Sequence, residues 1–153
     1  MEKAELIKTE TEGLLEKIID KFEVEVKEEG EAFHVIIKTD EEAPTVIGRH
    51  GETIRAIQKI LEVILFKKNG EALTILVNVN DYREKQKERL EGLATQYAQQ
   101  AEETKQAVNI RNLSSYERKV IHEYVTANYP ELTTYSEGEG RDRRLIIDLK
   151  SKT

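Results

Sequence analysis

The sequence contains no cysteine among its 153 residues. Disulfide bonds, thiolate nucleophiles and zinc sites built on cysteine are therefore excluded. It also contains no run of roughly 18 to 20 consecutive apolar residues, the length that spans a bilayer. The opening stretch MEKAELIKTETE lacks the basic and then apolar pattern of a secretion signal. We therefore expect a cytoplasmic protein without a transmembrane segment, long enough for one ordinary domain or two small ones.

The net charge of −6 argues at first against a nucleic-acid partner, because phosphate binding depends on positive potential. The acidic side chains are concentrated in the first third of the chain, however. Residues 1–44 carry a net charge of −8, residues 45–104 are neutral and residues 105–153 carry +2. Since electrostatic attraction acts locally, a basic binding face is compatible with this distribution.

The first half of the sequence predicts the order helix, strand, strand, helix, strand. A first helix ends near Asp20, an antiparallel hairpin turns at Gly30, and after Pro44 a short apolar turn leads into the stretch GRHG. A second helix packs on the sheet through one apolar stripe, and Asn69-Gly70 ends it before a third strand. The apolar residues that carry these patterns are Leu6, Leu14, Leu15, Ile18 and Ile19; Phe22, Val24, Val26, Phe33, Val35 and Ile37; Ile54, Ile57, Ile60, Leu61, Ile64 and Leu65; and Leu73, Ile75, Val77 and Val79.

The second half predicts the order helix, strand, helix, strand, strand. Asn80 or Asp81 caps a long helix that ends in EETK, and the short strand AVNI follows. Ser114 or Ser115 caps the next helix. Two last strands are expected around residues 132–135 and 145–149.

The stretch VIGRHG places two glycines around an Arg-His pair, directly before the second helix. Without a Cβ atom, the backbone at Gly48 and Gly51 can adopt unusual dihedral angles and approach a sugar-phosphate chain closely. The order of elements and the V-I-G-x-x-G pattern resemble a bacterial-type KH domain, whose loop clamps single-stranded backbone. The resemblance implies that Arg49 supplies charge and that His50 stacks or donates a hydrogen bond. The RNA-binding residues expected here are Ile47, Gly48, Arg49, His50, Gly51, Ile54 and Arg55, beside a groove lined by aliphatic side chains and the edge of the sheet.

The stretch SSYERKVIH places Arg118 and His122 four residues apart, on one face of a helix. Together with the later TYSEGEGRDRRLIID it resembles the R-x-x-x-H domain, a small α/β module of nucleic-acid-binding proteins. The resemblance implies that Arg118, Lys119 and His122 contact RNA. It also implies that Arg143 or Arg144, at the start of the last strand, adds to the same surface.

A KH domain followed by an R-x-x-x-H domain is the arrangement of the Jag family of bacterial RNA-binding proteins. The resemblance therefore implies an α+β protein made of two small α/β domains joined by a helix. Residues 1–80 form the KH domain (α-β-β-α-α-β), and residues 81–153 form the R-x-x-x-H domain (α-β-α-β-β) with the connecting helix. The separate N-terminal Jag domain is expected to be absent. Ser115 stands where the family usually has proline, and Lys119 stands where it usually has arginine.

The resemblance implies binding of single-stranded RNA, with single-stranded DNA as an alternative, and a part in post-transcriptional control of cell elongation and division. It further implies a single-KH protein as a partner. We expect no cofactor and no metal, because the sequence has no cysteine and no recognisable metal-spaced cluster. Two other functions remain open. The acidic first third favours a protein-interaction adaptor, whereas catalysis is disfavoured because His34, His50 and His122 are scattered and no catalytic cluster is recognisable.

Each motif also has a purely structural interpretation. A lone GxxG usually marks only a turn, and an arginine four residues before a histidine is often an ordinary solvated helix face. The cations Arg83, Lys85, Lys87 and Arg89 of the connecting helix are expected to be solvated, with a bridge between two RNA surfaces as the alternative.

Overall fold

The computed structural model describes residues 2–150 as two compact units, the first ending at Arg83 and the second beginning at Glu84. The mixed α+β class is confirmed, and so is the order α-β-β-α-α-β followed by α-β-α-β-β that the family resemblance implied; the residue pattern alone predicted a short turn where a helix, Ala43–Ile47, lies. The first unit contains α1 (Glu2–Leu15), β1 (Glu23–Glu29), β2 (Ala32–Lys38), α2 (Ala43–Ile47), a short 3-10 turn (Arg49–Gly51), α3 (Glu52–Asn69) and β3 (Thr74–Val79). Next come α4 (Tyr82–Thr104), β4 (Val108–Ile110), α5 (Ser115–Asn128), β5 (Leu132–Glu137), a 3-10 turn (Gly140–Asp142) and β6 (Arg144–Leu149).

The first unit contains a mixed three-stranded sheet in the order β1-β2-β3. β1 and β2 form the predicted antiparallel hairpin, with Val26 opposite Val35 and a left-handed residue at Gly30 in the turn. β2 and β3 run parallel, with Val35 opposite Val77. Parallel strands need a long crossover, and here α2 and α3 supply it. β3 is therefore an edge strand whose outer side faces away from β2.

One apolar core holds the first unit together. Alternating residues of the three strands point to one side of the sheet, and α1 and α3 pack against them. The side chains that form it are Ile7, Leu15, Ile19, Val24, Phe33, Val35, Ile37, Val46, Ile54, Ile57, Leu61, Leu65, Ile75, Val77 and Val79.

The first helix is shorter than the sequence pattern predicted. α1 ends at Leu15 instead of near Asp20, and residues 16–18 form a turn in which the Ile19 N–H still bonds to the Leu15 carbonyl. After this turn, the Glu42 carboxylate accepts hydrogen bonds from the backbone N–H groups of Asp20 and Lys21 at 3.0 to 3.1 Å. These bonds direct the backbone into β1.

The apolar stripe of α3 is narrower than predicted. Ile54, Ile57, Leu61 and Leu65 are buried, whereas Ile60 is 46% exposed. Successive helical residues are rotated by about 100°, so Ile60 lies roughly 100° away from the centre of the buried stripe. The prediction that Ile60 packs on the sheet was wrong.

The second unit contains an antiparallel three-stranded sheet in the order β4-β6-β5. Both of its helices contribute to one core, which is built from Leu90, Ala94, Ala98, Ala101, Val108, Ile110, Ile121, Val125, Leu132, Leu145 and Ile147. Of the two predicted caps for α5, Ser114 is the N-cap. Its Oγ accepts from the Glu117 N–H at 3.1 Å, and Glu117 Oε1 accepts from the Ser114 N–H at 2.8 Å.

None of the helices within residues 2–150 has the length and apolar character needed to cross a bilayer.

Candidate nucleic-acid interface

The GxxG loop, residues 48–51, connects α2 to α3 as the sequence predicted. The Gly48 N–H donates to the Pro44 carbonyl at 2.9 Å and ends α2. The Gly51 N–H donates back to the Gly48 carbonyl at 3.2 Å and closes the turn. The chain then enters the 18-residue helix α3 at Glu52. The loop is thus a short bend between two helices, and it leads directly to a helix N-terminus.

Both glycines of the loop have positive φ angles, and Gly48 lies where the local backbone requires glycine. Gly48 has φ 73° and ψ 173°, a region that is essentially restricted to glycine. A Cβ atom there would overlap Thr53 Oγ1 and lie 2.8 Å from the Thr53 backbone nitrogen. Gly51 has φ 76°, and a Cβ atom there would lie 3.2 Å from Tyr82 Oη. The absence of side chains therefore allows the bend to fold, and it also allows a ligand to approach the backbone closely.

The two residues between the glycines differ in exposure. Arg49 is exposed and His50 is half-buried. His50 has φ 56° and ψ 22°, a left-handed conformation that is uncommon outside glycine. Arg55 Nη1 donates to the His50 carbonyl at 2.9 Å, so Arg55, one turn into α3, fixes the backbone between the glycines.

The two isoleucines predicted at this site have different environments. Ile47 is half-buried at the end of α2, where part of its side chain remains at the surface. Ile54 is only 2% exposed and belongs to the core. Its side chain therefore packs α3 against the core and does not present an apolar surface to a ligand.

Three contacts near the loop were not singled out in the sequence. Tyr82 approaches Gly51, as described above. Arg83 Nε donates to the Val77 carbonyl, and Gln58 Oε1 accepts from the Val77 N–H at 3.0 Å. The expectation that Arg83 is merely solvated was wrong, because its guanidinium is bound to the edge of β3. No local sequence signal indicates these contacts, since they join α3, β3 and the first turn of α4.

In the second unit, Arg118 and His122 lie on α5 as predicted. Arg118 Nη1 donates to the Leu113 carbonyl at 2.8 Å, and its Nη2 donates to Ser115 Oγ at 3.2 Å. His122 is exposed, and its Nδ1 contacts the hydroxyl of Thr134 on β5. Lys119 is exposed on the same helix. Arg118 thus holds the turn that precedes α5, while the His122 ring is oriented by the sheet.

The structure does not bring Arg144 to the surface of Arg118 and His122. Paired residues of an antiparallel sheet share a face, and Thr134 pairs with Ile147 whereas Glu137 pairs with Arg144. Residues 144 and 147 of one strand point to opposite faces, so Arg144 lies on the face away from α5. Its Nε donates to Asn109 Oδ1 on β4 at 3.1 Å, and its Nη2 bonds to Glu137.

Arg143 precedes β6 and is exposed. Its Nη1 donates to the Gly138 carbonyl at 2.8 Å, which closes the loop between β5 and β6. A Cβ atom on Gly138 would lie 2.8 Å from the Asp142 carbonyl oxygen, so this loop is tightly folded.

Comparison with known protein families gives matches in both units. Residues 5–77 match the KH domain of KhpA and KhpB, and residues 88–149 match the R-x-x-x-H domain. The chain is 34% identical over 139 residues to the RNA-binding protein KhpB of Bacillus subtilis (strain 168). The aligned residues cover 90% of this chain and 66% of that protein. It is 32% identical over 127 residues to KhpB of Clostridium symbiosum, covering 83% of this chain and 56% of that protein.

A more distant relative is the RNA-binding protein KhpB of Streptococcus pneumoniae serotype 2 (strain D39 / NCTC 7466). It is 28% identical over 148 residues, which cover 94% of this chain and 44% of that protein. The chain thus spans between 44% and 66% of the length of these three relatives.

Proposed function

Because the chain belongs to the Jag family of KhpB-like proteins, in which a KH domain precedes an R-x-x-x-H domain, we propose that it binds single-stranded RNA. The GxxG loop is the principal site. A second site is formed by Arg118, Lys119 and His122 on α5. We assign the KH domain to residues 1–80 and the R-x-x-x-H domain with the connecting helix to residues 81–153.

The observation that supports this function most strongly is the geometry of the GxxG loop. The bend at Gly48 has no side chain, it carries the exposed Arg49, and it leads into the N-terminus of a long helix. The first backbone N–H groups of such a helix attract phosphate. Nucleotides can therefore lie against the main chain while a cation neutralises the phosphate next to it.

The experiment that tests this proposal reverses the charge of the loop without changing its backbone. The double variant Arg49→Asp, His50→Asp keeps the bend, because aspartate tolerates left-handed conformations better than most residues. We expect a loss of affinity for a short single-stranded RNA of about tenfold or more, since charge-assisted contacts to phosphate are removed. Fluorescence anisotropy measures the affinity, and circular dichroism verifies the fold.

A matched control separates the local effect from the change in net charge. Lys8 and Lys17 are exposed in or just after α1, and the variant Lys8→Asp, Lys17→Ala changes the net charge by the same amount at pH 7. It should bind RNA as the wild type does. In the wild type, the logarithm of affinity should fall with the logarithm of salt concentration, with a slope of about −0.7 per phosphate contact. If the loop variant and the control bind equally well, the GxxG loop is not the site.

A second candidate function is binding of a protein partner, and an exposed apolar face of α3 favours it. Ile60, Val63 and Phe66 are 46%, 58% and 57% exposed on this helix. Neighbouring exposed apolar side chains on one element are typical of interaction surfaces. We propose that this face receives a single-KH protein. The double variant Val63→Asp, Phe66→Asp should abolish association with that protein in sedimentation experiments and leave RNA affinity unchanged. Loss of both activities would contradict separate surfaces.

We propose a binding function and not a catalytic one. The histidines are engaged in separate places: His34 faces Glu29 at 3.3 Å, and His122 contacts Thr134. The proposed ligand implies a cytoplasmic location. A role in post-transcriptional control of cell elongation and division stays a prediction. Single-stranded DNA of the same sequence is the comparison ligand that tests whether the ribose hydroxyl contributes to binding.

A further inference from the structure

Two side chains form hydrogen bonds to the outer edge of β3. On an edge strand, every second residue directs its N–H and C=O groups away from the neighbouring strand, where they are available to a ligand or another chain. Val77 is such a residue, and side chains of the first unit engage both of its peptide groups. Its N–H donates to Gln58 Oε1 at 3.0 Å, and its carbonyl accepts from Arg83 Nε. A base that approaches this edge therefore meets Gln58 and Arg83 before it meets the backbone.

Arg83 is fixed at both its backbone and its side chain. The Arg83 N–H donates to Asn78 Oδ1 at 3.1 Å, and the same oxygen accepts from the Val79 N–H at 2.9 Å. The Arg83 guanidinium bonds to the Val77 carbonyl and, through Nη2, to Gln58 Oε1 at 3.2 Å. The first turn of α4 is therefore attached to the end of β3.

These contacts determine how the Gln58 side chain is oriented. Its Oε1 accepts two hydrogen bonds, from the Val77 N–H and from Arg83 Nη2. The flipped amide would place an amino group against two donors, so this orientation is the only satisfied one. Since the amide is planar, fixing Oε1 also fixes the direction of Nε2. Gln58 is half-buried, and it presents an amino group in a fixed direction.

Gln58 lies on the same side of α3 as the GxxG loop. Arg55, three residues earlier, bonds to the His50 carbonyl, and residues three apart are neighbours on a helix surface. Tyr82, next to Arg83 in sequence, approaches Gly51 at the other end of the loop. Arg55 thus neighbours the GxxG loop, and Gln58 lies between Arg55 and the edge of β3.

We propose that Gln58 is a base-reading residue of the RNA site and that Arg83 is its positioning residue; this inference rests on the proposed RNA-binding function. With Oε1 already engaged, Gln58 offers only donors. It therefore favours bases with two adjacent acceptor atoms, which are O2 and N3 of cytosine or O6 and N7 of guanine. Adenine and uracil lack such a pair, because each acceptor on their hydrogen-bonding edges is next to a donor, and they match a fixed amino group less well.

The variant Gln58→Glu tests this inference with almost no change in shape. A carboxylate still accepts from Val77 and Arg83, but its outward atom is an acceptor instead of a donor. Binding is measured for the full chain with a set of short RNAs in which one position is A, C, G or U, and the varied position is moved along the strand. At one position the wild type should bind C or G about threefold to tenfold more tightly than A and U, and Gln58→Glu should remove or invert that preference.

The variant Arg83→Lys tests the positioning role. Lysine keeps the charge but cannot bond to the Val77 carbonyl and Gln58 with a planar fork. The base preference should shrink, while the mean affinity over the four RNAs changes little. Gln99→Glu, an exposed change of the same type in α4, should alter neither quantity.

These measurements distinguish a failure of the base-reading role from a failure of the proposed RNA binding. If the wild type binds none of the RNAs, RNA binding itself is wrong. If the wild type binds and Gln58→Glu weakens all four RNAs by the same factor, Gln58 contributes only charge and the base-reading role is overturned. An unchanged order of preference overturns it as well. A change in the side-chain amide resonance of Gln58 that occurs with the preferred RNA and not with the others would support it.

Discussion

The bend at Gly48 gives the sharpest test of how this sequence determines its fold. Replacement by alanine adds one methyl group at a residue with φ 73° and ψ 173°. The new Cβ atom would overlap Thr53 Oγ1 and lie 2.8 Å from the Thr53 backbone nitrogen. The hydroxyl can rotate away, but the backbone nitrogen belongs to the first turn of α3 and cannot move without displacing the helix.

The expected cost has two parts. A side chain in this glycine-only region of backbone conformation costs about 1 to 3 kcal/mol, and overpacking against a fixed backbone atom costs a similar amount. We therefore expect Gly48→Ala to destabilise the first unit by about 3 kcal/mol. For a unit of this size, that loss lowers the melting temperature by more than about 10 °C.

Two other glycines of the same unit serve as controls. Gly30 has φ 62° with no atom near a new Cβ, so alanine there carries only the left-handed cost of about 1 kcal/mol. Gly13 lies within α1 with open space and an ordinary φ. Alanine at that position should stabilise the unit by about 0.5 to 1 kcal/mol.

The measurement is urea unfolding of the full chain, followed residue by residue by nuclear magnetic resonance. The amide of Val35 reports the first core, and the amide of Ile121 reports the second as an internal reference. The expected order of stability is Gly13→Ala, wild type, Gly30→Ala, Gly48→Ala. If Gly48→Ala is no less stable than Gly30→Ala, the bend adapts to a side chain and the steric argument fails.

Three further predictions concern the other contacts. Arg118→Ala should weaken RNA binding less than the loop double variant does and should also loosen the turn at Leu113; unchanged affinity at low and high salt would make Arg118 purely structural. Ser114→Ala should destabilise the second unit by about 1 kcal/mol in urea unfolding, because the capping box is lost, and an unchanged midpoint would refute this. The hydrogen bond from Lys38, and then the charge of Lys27, lower the pKa of Glu25 below its ordinary value of 4.5. The stabilisation from this pair is therefore present above pH 4.5 and is lost as pH falls through the lowered pKa. Lys38→Met should raise the Glu25 pKa in a carbon-13 titration, and a constant pKa would show that Lys38 is not its cause.

Patterns that depend on local periodicity were predictable from the sequence. Alternation of apolar and polar residues located the hairpin and the third strand of the first sheet, and Ser114 was one of the two residues predicted to cap α5. The position of Arg144 depends on the same period of two residues, although the apolar run Leu145-Ile146-Ile147 hides that period in the sequence. Of the two alternatives Arg143 and Arg144, the strand period disfavours Arg144, because Ile147 faces the core in the structure and residue 144 lies on the opposite face.

Features that depend on distant residues were not predictable. The path of the chain from α1 into β1 depends on Glu42, which is 22 residues away from Asp20. The orientation of Gln58 depends on Val77 and Arg83, and a sequence pattern contains no information about such side-chain geometry. The GxxG loop was located correctly because its glycines are close together in sequence, whereas the groups beside it are brought together only by folding.

The attachment of Arg83 to β3 has a consequence for dividing the chain. A fragment that ends at residue 80 would keep every strand of the first sheet but lose the guanidinium that covers the Val77 carbonyl. Its outermost strand would then be able to pair with the same strand of another molecule, which is how exposed sheet edges begin to aggregate. We therefore expect a fragment that continues past the start of α4 to aggregate less than one that ends at residue 80.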